Sequence, residues 1–236
     1  MAPAAAVSEA VALEAVRFAW PGAARPCLDI PAFGLGAGER LFLHGPSGAG
    51  KSTLLSLIGG VITPDAGQLR VLGEDLSALR GAARDRHRAE HIGFIFQQFN
   101  LIPYLSATDN ILLPCRFSRR RAERAGDPVQ AVARLAGHLD LSAEVLSAPA
   151  AQLSVGQQQR VAAARALIGA PALVIADEPT SALDADRQAA FLALLLDECQ
   201  SVGAALLFVS HDLSLASQFD RVVPLAQINR AAGVAA

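Results

Sequence analysis

Several residue types are scarce in this 236-residue sequence, and each scarcity narrows the class of protein. Its three cysteines, Cys27, Cys115 and Cys199, are widely spaced and form no CxxC pair, which fits ordinary thiols in a reducing compartment. Basic residues are not in excess, because the formal net charge is −2, so the composition points away from nucleic acid. No apolar run is long enough to span a bilayer, and the amino-terminal stretch lacks the basic region of a secretory signal. We therefore expect a soluble chain, which is compatible with a membrane partner.

Apolar segments alternate with helical patterns along the chain. Three short apolar runs predict buried parallel strands, at 41–44, 172–176 and 205–210. A helical pattern follows each of them, at 51–60, 184–200 and 213–219. This repetition of strand, turn and helix predicts an α/β fold with a parallel sheet.

Two regions depart from this repetition. Residues 12–43 and 68–72 are interrupted by glycine and proline, which favours short antiparallel strands packed beside the main sheet. Residues from about 98 to 165 have helical patterning without strand candidates between the helices. We interpret this region as a helical subdomain inserted into the α/β core of a single domain.

A glycine-rich turn follows the first predicted parallel strand and precedes a helix. Its sequence, HGPSGAGKST (44–53), holds Gly45, four further residues, and then Gly50, Lys51 and Ser52. Glycines let successive backbone N–H groups point inward at a phosphate, and the helix N-terminus adds the positive end of its dipole. Lys51 is the only lysine, so a chain that otherwise uses arginine keeps a compact ammonium here. This favours nucleotide binding over an ordinary turn, with Lys51 on the β and γ phosphates and Ser52 on Mg²⁺.

Two adjacent acidic residues follow the second predicted strand, in ALVIADEPTSALD (172–184). Asp177 lies at the strand end, where ligands bind in such sheets, and can hold Mg²⁺ through its water shell. Side chains alternate along a strand, so we expect Glu178 to point elsewhere and to orient the attacking water. The alternative is a solvated acidic turn in which Asp184 is the N-cap of the next helix.

These segments stand in the order found in ATP-binding cassette (ABC) ATPases, which the chain resembles over nearly its whole length. The matching segments are GPSGAGKS (45–52) as Walker A, FQQFNLIP (96–103) as the Q-loop region, LSVGQQQR (153–160) as the signature, ALVIADE (172–178) as Walker B, SALD (181–184) as the D-loop and VSHD (209–212) around the switch histidine. The resemblance implies a P-loop NTPase (RecA-like) fold. This fold has a parallel sheet core, an antiparallel β subdomain and an inserted helical subdomain, here in one nucleotide-binding domain across 1–236. It also implies ATP and Mg²⁺ as cofactors.

The resemblance assigns roles to individual residues. Glu178 would be the catalytic carboxylate, Gln97 would contact Mg²⁺ and the attacking water, and His211 would contact the γ-phosphate. Ser52, Gln97 and Asp177 would hold the metal. Trp20 lies where the family places an aromatic that stacks on adenine, and the alternative is a core or rim tryptophan in a Gly/Pro turn. The other residues expected to bind nucleotide are Gly45, Pro46, Ser47, Gly48, Ala49, Gly50, Lys51, Ser52, Thr53, Ser154, Gly156, Gln157 and Asp184.

The signature segment implies a dimer. In the family two cassettes pair head-to-tail, and each ATP lies between the Walker A loop of one chain and the signature of the other. Ser154 and the amide of Gly156, at a helix N-terminus, would then contact the γ-phosphate of the partner's ATP. The sequence departs from the family at Val155, where glycine is usual, and a β-branched residue is poor at positive φ. We expect a homodimer and a first helical turn that tolerates Val155.

Within the family, the chain most resembles the lipoprotein-release, macrolide-export and cell-division branch (LolD, MacB and FtsE types). Integral-membrane permease subunits are therefore the expected partners, and nucleic acid is not. The chain would lie on the cytoplasmic face of the inner membrane, and residues 97–114 would form the groove that receives a helix of the membrane subunit. The run RFSRRRAERA (116–125) predicts a solvated helix face, or else a contact to the partner or to anionic lipid.

Two other functions compete with this interpretation. One is a soluble ABC ATPase that has no membrane partner. The other is a nucleotide-binding interaction module, which would not need Glu178.

Overall fold

The computed structural model describes residues 9–181 and 183–233. Its strands are β1 Glu9–Phe18, β2 Leu28–Gly36, β3 Arg40–His44, β4 Ala66–Val71, β5 Glu74–Asp75, β6 Ile92–Ile95, β7 Leu173–Asp177, β8 Ala205–Val209 and β9 Arg221–Pro224. Its α-helices are α1 Lys51–Ile58, α2 Gly81–His91, α3 Ala107–Phe117, α4 Arg119–Ala125, α5 Pro128–His138, α6 Ala143–Ser147, α7 Val155–Leu167, α8 Ala185–Val202 and α9 Leu225–Ile228. Short 3₁₀ helices cover Ala150–Gln152, Leu213–Gln218 and Arg230–Gly233.

A parallel sheet with the strand order β6-β7-β8-β3-β9 forms the centre of the molecule. Strands β7 and β8 are apolar on both faces and almost wholly buried, which explains why they are continuous apolar runs in the sequence. The three predicted parallel strands are therefore confirmed. Strands β6 and β9 have only four residues each and were not predicted from the sequence.

A separate antiparallel sheet has the order β2-β1-β4-β5. It confirms the antiparallel strands predicted near the amino terminus, but the predicted stretch of 12–43 was too long. Residues Arg40–His44 belong to the parallel sheet, because Leu41, Phe42 and Leu43 are all fully buried between its neighbours β8 and β9.

Side-chain alternation along the parallel strands divides the core into two layers. Phe42 and Phe208 point into the layer that includes the helices between β6 and β7. Leu41, Leu43 and Leu207 point into the layer shared with α1 and the antiparallel sheet. The parallel sheet therefore contributes side chains to both layers. Its carboxyl edge lies between the two layers.

Helices α3 to α7 lie between β6 and β7 in the sequence and pack on one face of the sheet. The buried Asn110 of α3 shapes the start of this region, because its amide donates to the carbonyls of Ile102 and Ser106 and accepts from the Ile102 N–H.

The predicted helix at 213–219 is a 3₁₀ helix, Leu213–Gln218. None of the helices in the described ranges is both long and apolar enough to cross a membrane.

The arginine run at 116–125 is not simply a solvated face, which corrects that prediction. The Arg121 side chain is only 1% exposed and donates to the backbone carbonyls of Ala166, Ile168 and Ile92. Burial lowers the pKa of Arg121 to about 10. Arg124 donates to the Ala170 carbonyl. These two arginines satisfy the carbonyls at the end of α7 and join α4 to the sheet.

Candidate nucleotide-binding site

The motif residues gather at the carboxyl edge of the parallel sheet. Lys51 begins α1, directly after the turn that follows β3, Asp177 ends β7, and His211 follows β8, which is hydrogen-bonded to both β3 and β7. Ligands of parallel α/β sheets bind at this edge because the loops that follow neighbouring strands converge there. The structure therefore brings together segments that are more than 100 residues apart in the sequence.

The backbone after β3 is shaped to surround an anion. Gly48 and Gly50 have φ values of 77° and 101°, which favour glycine. A Cβ on Gly50 would also lie 2.9 Å from the Leu28 side chain, so no other residue fits there without a shift. Helix α1 begins next, with no side-chain cap and no acidic residue in its first turn. Its first N–H groups and the positive end of its dipole are free to bind phosphate.

The ammonium of Lys51 lies inside this turn. Its Nζ donates to the carbonyls of Gly45 and Pro46, over 2.8 and 3.0 Å, and the residue is 8% exposed. The backbone therefore keeps the charge at the loop, where a phosphate can replace the carbonyls as its partner.

Ser52 and Asp177 form a second pair at the same edge. The Ser52 hydroxyl donates to Asp177 Oδ2 over 3.1 Å. Burial is the main cause that raises the pKa of Asp177, and the Glu178 carboxylate adds to it, while the Ser52 hydrogen bond and Lys51 oppose the rise. A hydroxyl and a carboxylate beside phosphate oxygens are the donor set that Mg²⁺ uses in nucleotide sites, so these residues fit the ion.

Contrary to the prediction from strand alternation, Glu178 does not point away from Asp177, and both residues line one cavity. Glu178 follows the last residue of β7 and has a φ of 44°, so strand alternation does not set its direction. Its N–H donates to the Val209 carbonyl of β8, which holds the turn, and both carboxylates line the same cavity. His211 is close, with Nδ1 3.5 Å from Glu178 Oε2. A positive φ in a non-glycine residue carries strain, which often marks a functional position.

A cavity of about 440 Å³ unites most of the predicted nucleotide residues. Trp20 and Gln97 both line it. The other lining residues are Cys27, Ser47, Gly48, Gly50, Lys51, Ser52, Thr53, Asp177 and Glu178. Gly45 and Pro46 enter the site through their carbonyls on Lys51, and Ala49 lies between two lining residues. Cys27 was not predicted, because it belongs to no motif and reaches the cavity only through the turn before β2.

The loop that carries Gln97 is held from a distant helix. Phe99 and Asn100 have φ values of 57° and 49°, and the Arg165 guanidinium of α7 donates to both of their carbonyls, over 2.5 and 2.6 Å. Burial lowers the pKa of Arg165. These bonds fix the loop on α7, the helix whose opposite end carries the signature segment.

Trp20 has the exposure and packing of a stacking platform. The residue is 48% exposed, and its ring meets Phe18 edge-on with centroids 5.1 Å apart. We expect Trp20→Ala to weaken ATP and ADP binding by about 1–3 kcal/mol, because a base loses its aromatic partner. Since this is the only tryptophan, its fluorescence should change when nucleotide binds to the unaltered chain.

The matched control is Trp20→Phe, which keeps a ring and should lose less affinity. Titration calorimetry measures the dissociation constant for ADP of the unaltered chain, Trp20→Ala and Trp20→Phe. An unchanged dissociation constant in a folded Trp20→Ala protein would assign Trp20 to packing alone.

The signature segment opens α7 through a capping box. Ser154 is the N-cap, its N–H donates to Gln157 Oε1 over 2.8 Å, and its hydroxyl accepts from the Gln157 N–H. Val155 is the first helical residue, is 49% exposed and does not have a positive φ, as expected. A Cβ on Gly156 would meet no atom within 4 Å, so this face of the helix is open.

The signature segment faces a different space from the glycine-rich loop 45–53, called the phosphate loop below. Ser154, Gly156 and Gln157 line a cavity of about 590 Å³. Among the described residues, none lines both this cavity and the one around Lys51. Asp184 is the N-cap of α8 and accepts from the Arg187 N–H, which is the capping role that the sequence left open. Within one chain the two predicted halves of the site do not meet.

Comparison with known proteins gives the relationships of the chain. The ABC transporter family model matches residues 28–181. The chain is 47% identical over 191 residues to the lipoprotein-releasing system ATP-binding protein LolD of Anaeromyxobacter dehalogenans, covering 81% of this chain and 79% of that protein. It is 43% identical over 189 residues to the macrolide export ATP-binding/permease protein MacB 1 of Aeromonas hydrophila subsp. hydrophila, covering 80% of this chain and 28% of that protein.

A solved dimer of the ATP-binding cassette MJ0796, in a post-hydrolysis state bound to ADP and Pi, resembles the structure with a TM-score of 0.80. The match has 33% sequence identity and covers 91% of this chain and 93% of that one. This likeness confirms the predicted fold class, and the LolD and MacB relatives confirm the predicted branch.

Proposed function

Because the chain belongs to the ABC transporter family, and is an ATPase of that family, we propose that two copies pair head-to-tail around two ATP molecules and drive a conformational change in separate integral-membrane permease subunits. The observation that carries the proposal is the separation of the phosphate loop and the signature segment. They line different cavities in one chain, which supports the proposal that a second chain brings its signature to the bound nucleotide.

The proposed ATP site uses the phosphate loop for binding. Backbone N–H groups of 45–53 and the ammonium of Lys51 bind the phosphates, and Trp20 stacks on the adenine. Ser154, Gly156 and Gln157 of the second chain complete the γ-phosphate side. Their support is the open N-terminal turn of α7, where Gly156 has free space and the helix dipole favours an anion.

Hydrolysis is proposed to use the carboxylates at the end of β7. Glu178 accepts a proton from the attacking water, and His211, already 3.5 Å from Glu178, contacts the γ-phosphate. Asp177, Ser52 and Gln97 would hold Mg²⁺, which neutralises charge on the phosphates when it is bound. The strained φ of Glu178 and the hydrogen bond between Ser52 and Asp177 support this division of roles.

The proposed docking site for the permease is an apolar groove of about 360 Å³ beside the Gln97 loop. Its lining comes from α2, β6 and the loop after it, α3, α4 and α7. The apolar side chains Phe94, Phe96, Leu113, Pro114 and Phe117 line it together with Arg88, Arg121 and Arg165. Phe117 and Phe96, which both line the groove, are 79% and 38% exposed, so they form an apolar patch that a partner can cover. A helix of a membrane subunit would cover this surface and hold the chain on the cytoplasmic face of the inner membrane.

The experiment is affinity purification of the tagged full chain from detergent-solubilised membranes of its own organism. We expect a multi-span membrane protein to co-purify with the unaltered chain. Phe117→Glu should lose at least tenfold of it, because a carboxylate in the groove has to be desolvated on docking. The control is Val129→Glu, which changes another exposed apolar residue, 77% exposed on α5, and should retain the partner.

Thermal unfolding checks that both variants fold. If the chain stays in the aqueous fraction without a membrane protein, it is an ABC ATPase without a membrane partner. If both variants co-purify equal amounts of the membrane protein, the docking surface lies elsewhere.

A further inference from the structure

The carboxyl-terminal segment lies directly beneath the phosphate loop. Helix α9 places Leu225 against the start of the loop, where its Cβ lies 3.3 Å from the position that a Cβ on Gly45 would occupy. Asn229 follows α9 and is only 1% exposed. It is 180 residues from Ala49 in the sequence, yet the two are hydrogen-bonded.

All of the hydrogen-bonding capacity of the Asn229 side chain is used. Its Oδ1 accepts from the N–H groups of Asp29 and Ala231, over 2.9 and 3.1 Å. Its Nδ2 donates to the carbonyls of Cys27 and Ala49, over 3.1 and 3.3 Å. One side chain therefore ties β2, the carboxyl terminus and the phosphate loop together.

The bond to Ala49 sets the direction of a phosphate-binding amide. The Ala49 carbonyl and the Gly50 N–H belong to one planar trans peptide unit, in which they point in opposite directions. When Asn229 holds the carbonyl toward the core, the N–H turns away from the core, toward the cavity that Gly50 lines. Gly50 has a φ of 101° and no Cβ, so its own sterics restrict the orientation of this peptide less than those of any other residue would.

The bond to Cys27 holds a backbone segment that packs against Gly50. The Cys27 carbonyl lies 3.3 Å from the position of a Cβ on Gly50, and the Cys27 side chain lines the cavity, 3.6 Å from the Thr53 hydroxyl. Asn229 thus holds both the phosphate loop, through Ala49, and the Cys27 backbone against which Gly50 packs. Nothing else in the described ranges is hydrogen-bonded to the Ala49 carbonyl.

We propose that Asn229 is a positioning residue of the ATP site, which aims the Gly50 amide at the nucleotide phosphates. It touches neither the nucleotide nor the reacting atoms and acts through the Ala49–Gly50 peptide. The carboxyl-terminal segment is therefore part of the binding site in function, although no motif reaches it.

Two substitutions separate this role from simple packing. Asn229→Leu keeps the approximate volume and removes all four hydrogen bonds. Asn229→Asp keeps the acceptors for Asp29 and Ala231, replaces the donors to Cys27 and Ala49 by an acceptor, and adds a buried negative charge. Asn229→Asp should therefore lose the positioning of the Gly50 amide while it keeps two of the four hydrogen bonds.

The control is a buried polar residue away from the loop. Glu198 of α8 is 1% exposed and is paired with Arg134 and His138 of α5. Glu198→Leu removes these contacts and should lower the thermal unfolding temperature as much as the Asn229 variants do, without touching the phosphate loop.

The measurement is the dissociation constant for ADP by titration calorimetry on the full chain, below the unfolding temperature of every variant. We expect both Asn229 variants to bind ADP at least tenfold more weakly, and Glu198→Leu to stay within twofold of the unaltered chain. Hydrogen exchange without nucleotide should also be faster at 45–53 in Asn229→Asp and unchanged in β7.

ADP affinity within twofold of the unaltered chain in either folded Asn229 variant overturns the proposal. So does an equal loss of affinity in Glu198→Leu, because the effect would then follow stability alone. If Asn229→Leu does not fold, Asn229→Asp decides the question by the same criteria.

Discussion

Glu178→Gln is expected to bind ATP with nearly unaltered affinity and to lose about 10²–10⁴-fold of its turnover, which is the usual contribution of a general base. The amide keeps the size of the side chain but cannot accept the proton of the attacking water. ATP then persists, and the dimer that encloses it should elute as a stable species in size-exclusion chromatography. Phosphate release and elution volume are the two measurements.

Asp177→Asn is the matched control, because it changes the neighbouring carboxylate in the same way. It should also lose turnover, but it should not accumulate the ATP-bound dimer, since the proposed metal contact is gone before the site closes. Wild-type turnover in Glu178→Gln would show that another group is the base.

Mixing two inactive variants is expected to restore ATP hydrolysis. Ser154→Arg places a bulky cation where the signature would meet the γ-phosphate, and Lys51→Ala removes the charge of the phosphate loop. Each variant alone should retain less than about 1% of the activity, a loss of nearly 3 kcal/mol in transition-state stabilisation. A mixed dimer joins the intact phosphate loop of the Ser154→Arg chain to the intact signature of the Lys51→Ala chain, and so regains one complete site.

The structure supplies a control for the bulky substitution. Ser142 caps α6 through its hydroxyl, as Ser154 caps α7. Ser142→Arg should therefore destabilise the start of its helix by a similar free energy, yet the variant should remain active. The two chains carry different tags, so that co-purification demonstrates mixed dimers. Inactive mixed dimers, once isolated, would mean that the signature serves its own chain or that one site cannot work alone. Covalently linked dimers with one intact site separate these two outcomes.

The parts of the site that the sequence predicts are those whose cause is local. A phosphate loop needs particular glycines, one cation and a helix start within ten residues, so its chemistry is visible in HGPSGAGKST. Buried parallel strands must be apolar on both faces, which made β3, β7 and β8 visible and placed Asp177 at the ligand edge. Alternation failed one residue later, because Glu178 lies in a strained turn and not in the strand.

The parts that could not be predicted depend on contacts between distant segments. The charged neighbours of Arg121 in the sequence predict that it is exposed to solvent. In the structure its guanidinium donates to backbone carbonyls 45 to 47 residues away. Arg165 and Asn229 have ordinary sequence surroundings, and their partners lie 66 and up to 202 residues away. A side chain that caps distant backbone leaves no periodic pattern, so only the folded chain identifies it.

The position of Lys51 has a practical consequence for covalent labelling. Apart from the terminal α-amino group, its Nζ is the only primary amine on the chain, and it is largely hidden among the carbonyls of the phosphate loop. Amine-reactive dyes, cross-linkers and sensor-chip coupling therefore have either a terminal target or a target inside the nucleotide site. Immobilised or dye-labelled preparations are best attached through an added tag, because modification of Lys51 is expected to block the proposed nucleotide binding, and Cys27 lines the same cavity.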